Sequence, residues 1–527
     1  MTKSHAVQSE CSEESLSFDV VVYGGEPCGI AAAVASARSG ARTLLIEPTA
    51  QIGGMNTSGL NTAETEHLLV WTLGGVAREV YERLGAFYGT GGPEYFFESG
   101  VIERIFAEML REAGVVVLFS HRILRVEREG AAIRRLELDG VGVAAVEGRV
   151  FIDAGYEGDL MAMAGVGHTW GREGREEFGE EAAGIRLDAA SQSAGTLDST
   201  GSLLCGIAGW SRDFVEGAGD AKVMCYNLRP TLTRDPEWRV PIPLPDHYDP
   251  RRYRLLANWF SCGGQGAELS WIMDLYERRN GKLEANNCQA SIVSLGYPGG
   301  QFGWPDGGPD ERKRIFAEHL DYTLGLFHFL KCDPSVPALV RRQMRGLGLH
   351  AGEFAGSGFL PSRLYVREAR RMRGAAVVTQ HDVTTRREKS DSIAVGSHFI
   401  DCHHVQRLAV SESAFINEGR IWRPGAAYQI PYGALTPEPT QCTNLLVPGA
   451  ASFSHVAYST YRLESVWMLG GHAAGAAAAL ASASALAVQD VPVPQLQSLL
   501  RSQGQVIDFL PGCPEHSACG DGGWISA

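Results

Sequence analysis

Val20-Val-Val-Tyr-Gly-Gly-Glu-Pro-Cys-Gly29 is the stretch on which the fold turns. The β-branched run Phe18 to Tyr23 predicts a buried strand, Gly24 to Gly29 a tight turn, and Ile30 to Ser39 an Ala-rich helix that stops at Gly40. Thr43 to Ile46 then predicts a second strand, which completes a βαβ unit of ordinary length. Such a unit aims backbone N–H groups and the positive end of a helix dipole at one point, a geometry that suits a pyrophosphate. The usual spacing is G-x-G-x-x-G. Gly24 and Gly29 hold the first and third places, Glu26 holds the second, and Gly25, Pro27 and Cys28 fill the others. A carboxylate beside a pyrophosphate repels it, so either Glu26 points away while Gly25 eases the turn, or a base or ion compensates its charge. Glu47, 23 residues after Gly24 and followed by Pro48, ends the second strand where an acid accepts hydrogen bonds from a ribose hydroxyl.

Working outward, Gln51-Ile-Gly-Gly-Met-Asn-Thr-Ser-Gly59 is a second glycine-rich loop directly after the ribose acid. Gly53, Gly54 and Met55 are positioned to wrap the far half of an extended dinucleotide, which favours FAD over a nicotinamide cofactor. No second complete fingerprint occurs elsewhere. Val101 to Ala113 predicts a helix, Val115 to Phe119 a strand, Ile123 to Leu138 two strands about a turn, and Val150 to Asp153 another strand. From about Gly165 to Gly396 the pattern loosens into Pro-, Trp- and Tyr-rich segments, with helix near Lys313 to Leu330. Leu445-Leu-Val447 resumes a buried strand, and Glu464 to Ala487 predicts a long helix. The expected organisation is a flexible start (1–17), a first part of a cofactor domain (18–164), an inserted substrate or cap domain (165–396), a closing part (397–500) and a turn-rich tail (501–527).

Bulk properties narrow the function. A chain of 527 residues exceeds what one hydrophobic core usually supports. Its formal charge of −14 disfavours a phosphate-backbone partner, so nucleic acid is set aside. Met1 to Ser17 is polar and acidic with no signal-peptide pattern, and the 11 cysteines, an odd number spread thinly, imply reduced thiols; a cytoplasmic enzyme is expected. Met468 to Val488 lacks charged residues but is Ala-rich, with His472, Ser482 and Ser484 inside it, and predicts a closely packed core helix, not a membrane span.

These residues resemble the FAD-dependent oxidoreductases related to the fumarate reductase flavoprotein fold, some of whose members carry a xanthan lyase label. The resemblance runs through Gly24 to Ala33, Asp153-Ala-Gly-Tyr-Glu-Gly-Asp-Leu160, Tyr226-Asn-Leu-Arg229, Leu364-Tyr-Val-Arg-Glu-Ala-Arg-Arg371 and Ile430-Pro-Tyr432, and is strongest from Asn444 through Ala479. It implies an α/β fold: a Rossmann-like FAD-binding domain split along the chain, with an inserted α+β substrate domain. It further implies that Asp153, Ala154 and Gly155 lie by the adenosine and pyrophosphate, and that Gly449, Gly470 and Gly471 lie toward the flavin. Cys28, Ala450 and His472 depart from the common residues of that family, as does Glu26.

Oxidation by a flavin requires a donor carbon over N5, a base for the O–H or N–H proton, and a group to balance charge around N1 and O2. Candidates cluster in Asp401-Cys-His-His404 and in Ser454-His-Val-Ala-Tyr-Ser-Thr-Tyr-Arg462, the latter including Tyr458. His455 is the first-choice base, or else a brace for the helix that follows. Arg462 is a carboxylate- or flavin-facing cation, or the partner of Glu464 or another acid. His403 and His404 are adjacent, so on an extended segment only one reaches a given site, and Asp401 shares the face of His403. No third ligand is spaced for a metal. Tyr226, Arg229, Tyr365 and Arg367 are pocket candidates or packing residues, and Arg367 to Arg373 reads as a solvated helical face or hinge. His67 is a minority candidate for covalent FAD attachment; Cys513 and Cys519, with His516 between them, are a metal-binding or disulfide candidate or else an unremarkable surface loop. The expected activity is oxidation of a C–O or C–N bond of a small polar metabolite by hydride transfer to FAD, with oxygen or another acceptor taking the electrons. The alternatives are a reductase or monooxygenase fed by an external donor, a non-catalytic FAD-binding module, and a lyase, for which a dinucleotide turn gives no reason.

Overall fold

The computed structural model describes residues 16–516. Its organising element is a seven-stranded sheet. Strand β1 (Leu16–Tyr23) lies between β2 (Thr43–Glu47) and β6 (Ala145–Asp153); β3 (Val116–Phe119) flanks β2, while β5 (Ala132–Leu138) and β4 (Ile123–Glu129) extend the far side. β1, β2, β3 and β6 run parallel, and Leu445–Leu446 adds a parallel strand against β6. The alternating burial of β5 fits its antiparallel, half-covered position, whereas β2 is buried throughout, as a central parallel strand must be.

Register places the site. Tyr23 pairs with Ile46 on one side and with Asp153 on the other, so β1, β2 and β6 end at one level. Their following segments, Gly24 to Gly29, Pro48 to Gly54 and Ala154 to Gly155, therefore share the carboxyl edge of the sheet, where open α/β sheets bind ligands.

Helix α1 (Pro27–Arg38) begins with Pro at its first turn and buries every residue from Pro27 to Ser36. Most of its partner is the helix Glu464–Ser484, from the other end of the chain. A β-carbon on Gly471 would meet the Cys28 carbonyl oxygen at 2.0 Å, and one on Gly475 would meet that of Ala32 at 2.1 Å. The two backbones touch because glycine and alanine leave nothing between them. By length and composition Glu464–Ser484 could cross a membrane, yet 89% of its apolar window is buried within the protein, as a core helix would be.

Two further sheets build the second region. Five antiparallel strands run in the order Arg239–Val240, Gly348–His350, Thr231–Thr233, Lys282–Asn287, Met273–Glu277, backed by a helix over Pro309–Cys332. A four-stranded sheet joins Gln192–Ser193 and Gly209–Trp210 to Gln406–Ser411 and Ala414–Glu418. Residues 406–418, assigned from sequence to the closing part of the cofactor domain, thus pair with the inserted region, and Ala409 and Phe415 join its hydrophobic core.

Other expectations need correction. Arg367 to Met372 is neither a helix nor solvated, and Arg373 alone of the run is exposed: Arg367 and Arg371 are fully buried, and Arg371–Met372 pairs with His168–Thr169. The tail beyond Leu499 is docked as far as it is described, with Val395 N–H donating to Val506 O and Ala427 N–H to Glu515 O. Cys513 is a free thiol. Cys519 and the start of the chain to residue 15 lie outside the described residues.

Candidate functional site

The glycine turn is built as the spacing requires. Gly24 has φ 103°, and a β-carbon on Gly29 would stand 1.8 Å from the Gly24 carbonyl oxygen, so both positions require glycine. Helix α1 has no side-chain cap, which leaves its amino end open to an external acceptor. Glu47 is fully buried at the end of β2. Its Oε2 accepts from Gly25 N–H (2.9 Å) and its Oε1 from Thr49 N–H (2.7 Å) and Thr49 Oγ1 (2.6 Å). Pro48 has no N–H to offer, so Thr49 is the first amide that can turn back.

The base that the turn requires is Arg363. Its Nη1 donates to Glu26 Oε1 at 2.9 Å, and its Nη2 donates to Glu47, to Thr49 Oγ1 (2.9 Å) and to Gln51 O (3.1 Å). One guanidinium thus spans both acids of the turn. Burial pushes the Glu26 carboxyl up to about 8 despite Arg363, with Glu47 and Glu157 adding to the rise. Its Oε2 is buried with no partner among the described residues.

The second loop closes against β6 and the carboxyl-terminal helix. Gly53 (φ 91°) and Gly54 (φ 52°) pass over Tyr156, whose hydroxyl accepts from Met55 N–H (2.9 Å) and donates to Glu464 Oε1 (2.5 Å). Burial raises the Glu464 carboxyl to about 8 and the Asp153 carboxyl to about 7. Asp153 accepts from Met161 N–H (2.7 Å), Ala154 N–H donates to Tyr23 O, and a β-carbon on Gly449 would meet the Gly155 carbonyl oxygen at 2.4 Å. Gly24 to Gly29, Glu47, Gly53 to Met55, Asp153 to Gly155 and Gly449 are thereby drawn to one edge. Gly471 packs on the Cys28 carbonyl of the turn's own helix, and Gly470 faces the Tyr461 hydroxyl, both in packing contacts. A left-handed Gly24, an uncapped α1, a ribose-side acid and an orphaned buried carboxyl oxygen together fit a dinucleotide such as FAD.

A cavity of about 460 Å³ opens beyond the second loop. One wall is Thr62 to His67, the continuation of that loop; a second is Asp274 to Gln289 of the five-stranded sheet, with Arg229; a third is Tyr365, Asp401, His403 and Arg420. It therefore lies between the two regions, and its lining mixes charged groups with the rings of Tyr276, Tyr365 and Trp422. Glu64 sits in this wall with φ 55°, a strained backbone for a side-chain-bearing residue.

Asp401 organises the third wall. Arg462 Nη2 donates to its Oδ2 (2.6 Å) and to its carbonyl (2.9 Å), Arg462 Nη1 reaches the Tyr365 hydroxyl (3.1 Å), and Asp401 Oδ2 stands 3.2 Å from His403 Nε2. Gln289 Nε2 stands 2.6 Å from His403 Nδ1 and 3.0 Å from Nε2, so Gln289 and Asp401 together engage both ring nitrogens. Burial, reinforced by Arg367, holds the imidazole down at about 3, so it is uncharged at neutral pH. Arg420 enters from the turn after Ala414–Glu418, and its Nε is buried with no partner among the described residues.

Several of the remaining candidates are engaged away from this cavity. His404 is not in its lining; its carbonyl accepts from Cys225 N–H. His455 is the first residue of the helix His455–Tyr461, capped by Ser454. Its Nδ1 donates to Glu368 (2.9 Å) and its N–H to Glu173 (2.8 Å), while Arg371 pairs with both acids. Burial pulls this imidazole down, but Glu368, with Cys402, raises it to about 10, so it is a cation at neutral pH and cannot accept a proton. The Tyr458 hydroxyl is committed to Gly449 O (2.8 Å). Arg229 and Tyr365 line the cavity; Tyr226 instead donates to the Glu368 carbonyl, and Arg367 to Asn227 Oδ1 (2.6 Å). Sequence spacing had no route to Arg363, one residue before the Leu364 run, nor to Tyr156 as the support of the second loop.

Comparison with known proteins gives three results. The profile of a family described as FAD dependent oxidoreductase matches residues 19–500. Digeranylgeranylglycerophospholipid reductase 2 of Methanopyrus kandleri is 32% identical over 162 residues, which is 29% of this chain and 41% of that protein. Among solved structures, a geranylgeranyl bacteriochlorophyll reductase-like protein of Thermoplasma acidophilum covers 93% of this chain and 85% of its own at 10% identity and a TM-score of 0.36, and a myxobacterial chondrochloren halogenase covers 30% and 41% at 17% identity and a TM-score of 0.24.

Proposed function

From the premise that the chain belongs to the FAD dependent oxidoreductase family, we propose that it oxidises a C–O or C–N bond of a small polar metabolite held in the cavity between Thr62, Asp274 and His403. The observation that carries this is the cavity itself: about 460 Å³, bounded by Glu64, Asp274, Asp401, Arg229 and Arg420, beside the loop that would face the flavin.

FAD, when bound, supplies the two-electron acceptor. The cradle for it would be Gly24 to Gly29 and Glu47 at the adenylate end, Asp153 to Gly155 and Gly449 beneath, and Gly53 to Met55 toward the flavin. The protein's part is to orient the substrate and take its proton. Arg420, whose Nε has no partner among the described residues, presents a donor to polar groups of the substrate, and Arg229, ion-paired with Glu284 and held by Asn286 Oδ1 at 2.9 Å, adds positive charge to the wall. His403, uncharged but kept a weak base by burial and Arg367, accepts the hydroxyl or amine proton once the substrate displaces Gln289, and Asp401 beside it balances the imidazolium that forms. Arg462 keeps Asp401 in place. His455 braces the fold as a buried cation and takes no part in the proton transfer.

Anaerobic mixing of the holoenzyme with a panel of alcohols, hydroxy acids and amines tests this, with flavin absorbance as the readout. Bleaching by at least one member, lost in His403→Ala, is expected. Bleaching by NAD(P)H and by none of the panel would refute it in favour of an externally fed reductase or monooxygenase.

A further inference from the structure

Glu26 is the one residue of the phosphate turn whose chemistry runs against its neighbours. It is 3% exposed, at the place where this spacing ordinarily carries glycine. A β-carbon built on Gly24 would stand 2.6 Å from Glu26 Oε2 and 2.6 Å from the Gly155 amide, so that oxygen is turned into the mouth of the turn and not away from it. Arg363 holds only the other oxygen, Oε1. Oε2 is left buried without a partner.

The charged groups around it decide what Oε2 can do. Facing Glu26 are Arg363 from the Ser362–Leu364 segment, Glu47 from β2, Glu157 and Tyr156 from the loop after β6, and Cys28 from α1. Arg363 is the single cation of this set and also serves Glu47. A carboxylate at Oε2 would present bare lone pairs to an anion in a site already short of positive charge. A carboxylic acid there presents an O–H donor. An arriving dianion favours the second form further, because like charge opposes ionisation.

We infer that Glu26 grips the FAD pyrophosphate as a neutral acid, its Oε2 hydroxyl donating to a phosphate oxygen while Arg363 splints Oε1. This rests on the pyrophosphate lying at the glycine turn. Cofactor affinity then falls as pH rises through the Glu26 titration: the protonated form binds, and its fraction in the free protein declines above about 8.

The test is titration of the apoprotein with FAD, followed by flavin fluorescence, at pH 6.5, 7.5, 8.5 and 9.5. Kd is expected to be constant through pH 7.5 and to weaken by up to about tenfold per pH unit above 8. Glu26→Gln retains an N–H donor and should bind with the wild-type low-pH affinity at every pH. Glu26→Gly should bind more weakly and equally flatly. A flat wild-type Kd, or a slope that survives in either variant, would overturn the inference, and the wild-type slope decides if the variants fail to fold. Protein that takes up no FAD at any pH would overturn this inference and the cofactor cradle together. FAD bound with the expected slope but never reduced by the substrate panel would instead refute the proposed reaction and leave Glu26 as described.

Discussion

Replacing His455 with glutamine separates the two roles that its position allows. In the fold the imidazole is buried, donates to Glu368 at 2.9 Å and is held as a cation to about pH 10. In the unfolded chain it titrates near 6.5. A folded value above the unfolded one contributes stability that is fully present below 6.5 and is lost as pH rises through 10. By linkage the contribution is about 4 kcal/mol at pH 7, about 2 at pH 8.5 and close to nothing at pH 10.5. Cleaving a buried ion pair costs about 3–5 kcal/mol in general, which agrees. His455→Gln keeps much of the volume and removes the charge, leaving Arg371 to face Glu173 and Glu368 alone. Urea unfolding of wild type and variant at those three pH values is the assay: a gap of that size should open at pH 7 and close by pH 10.5. If the variant unfolds with the wild type at pH 7 yet loses turnover by orders of magnitude, the imidazole is the base after all and the assignment to His403 fails.

Other outcomes follow from the same geometry. His403→Ala should lower kcat/KM by roughly 10²–10⁴ with FAD content unchanged, the usual span for a general base. Because burial and Arg367 keep His403 unprotonated down to about 3, the wild-type kcat/KM profile should show no acid limb near 6.5; a limb there, absent in His403→Ala, would contradict the depressed imidazole. Gly475→Val sets a β-carbon 2.1 Å from the Ala32 carbonyl oxygen and should destabilise the protein by at least about 1–3 kcal/mol, read as a lowered Tm. Arg462→Met should cost about 3–5 kcal/mol of stability, since Asp401 would remain buried beside it; an unchanged Tm would show that the pair is not the anchor of the third wall.

What could be read from the chain before folding was whatever is local. The strand, turn and helix from Phe18 to Ser39, and Glu47 at its spacing, are fixed by neighbours in sequence, and the long Ala-rich helix announced its burial by its composition. The compensation of Glu26 was legible only as a choice, because the answer, Arg363, lies more than three hundred positions away on a segment with no pattern of its own. The cavity shares that difficulty: its walls come from 62–67, 274–289, 365 and 401–422, segments far apart in the chain that meet only in the fold. His455 was legible only as a choice between base and brace, because histidine before a helix has the same appearance whether it faces a substrate or Glu368. Asp401 and His403 were readable as a pair because alternate residues of an extended segment share a face, although nothing local could show Arg462 behind them.

The contact between α1 and Glu464–Ser484 also bears on how the protein comes to exist. Cys28 and Gly471 are about 440 residues apart in the chain. At ordinary translation speeds roughly 20–90 s pass between their synthesis. Throughout that interval β6 lacks its Leu445–Leu446 neighbour and the alanine face of α1 lacks its cover, so the nascent half-domain presents an open strand edge and an apolar helix to its surroundings. Chaperone dependence during synthesis, and aggregation of fragments that end before Leu445, are the expected consequences of a cofactor cradle whose first and last pieces are made at opposite ends of translation.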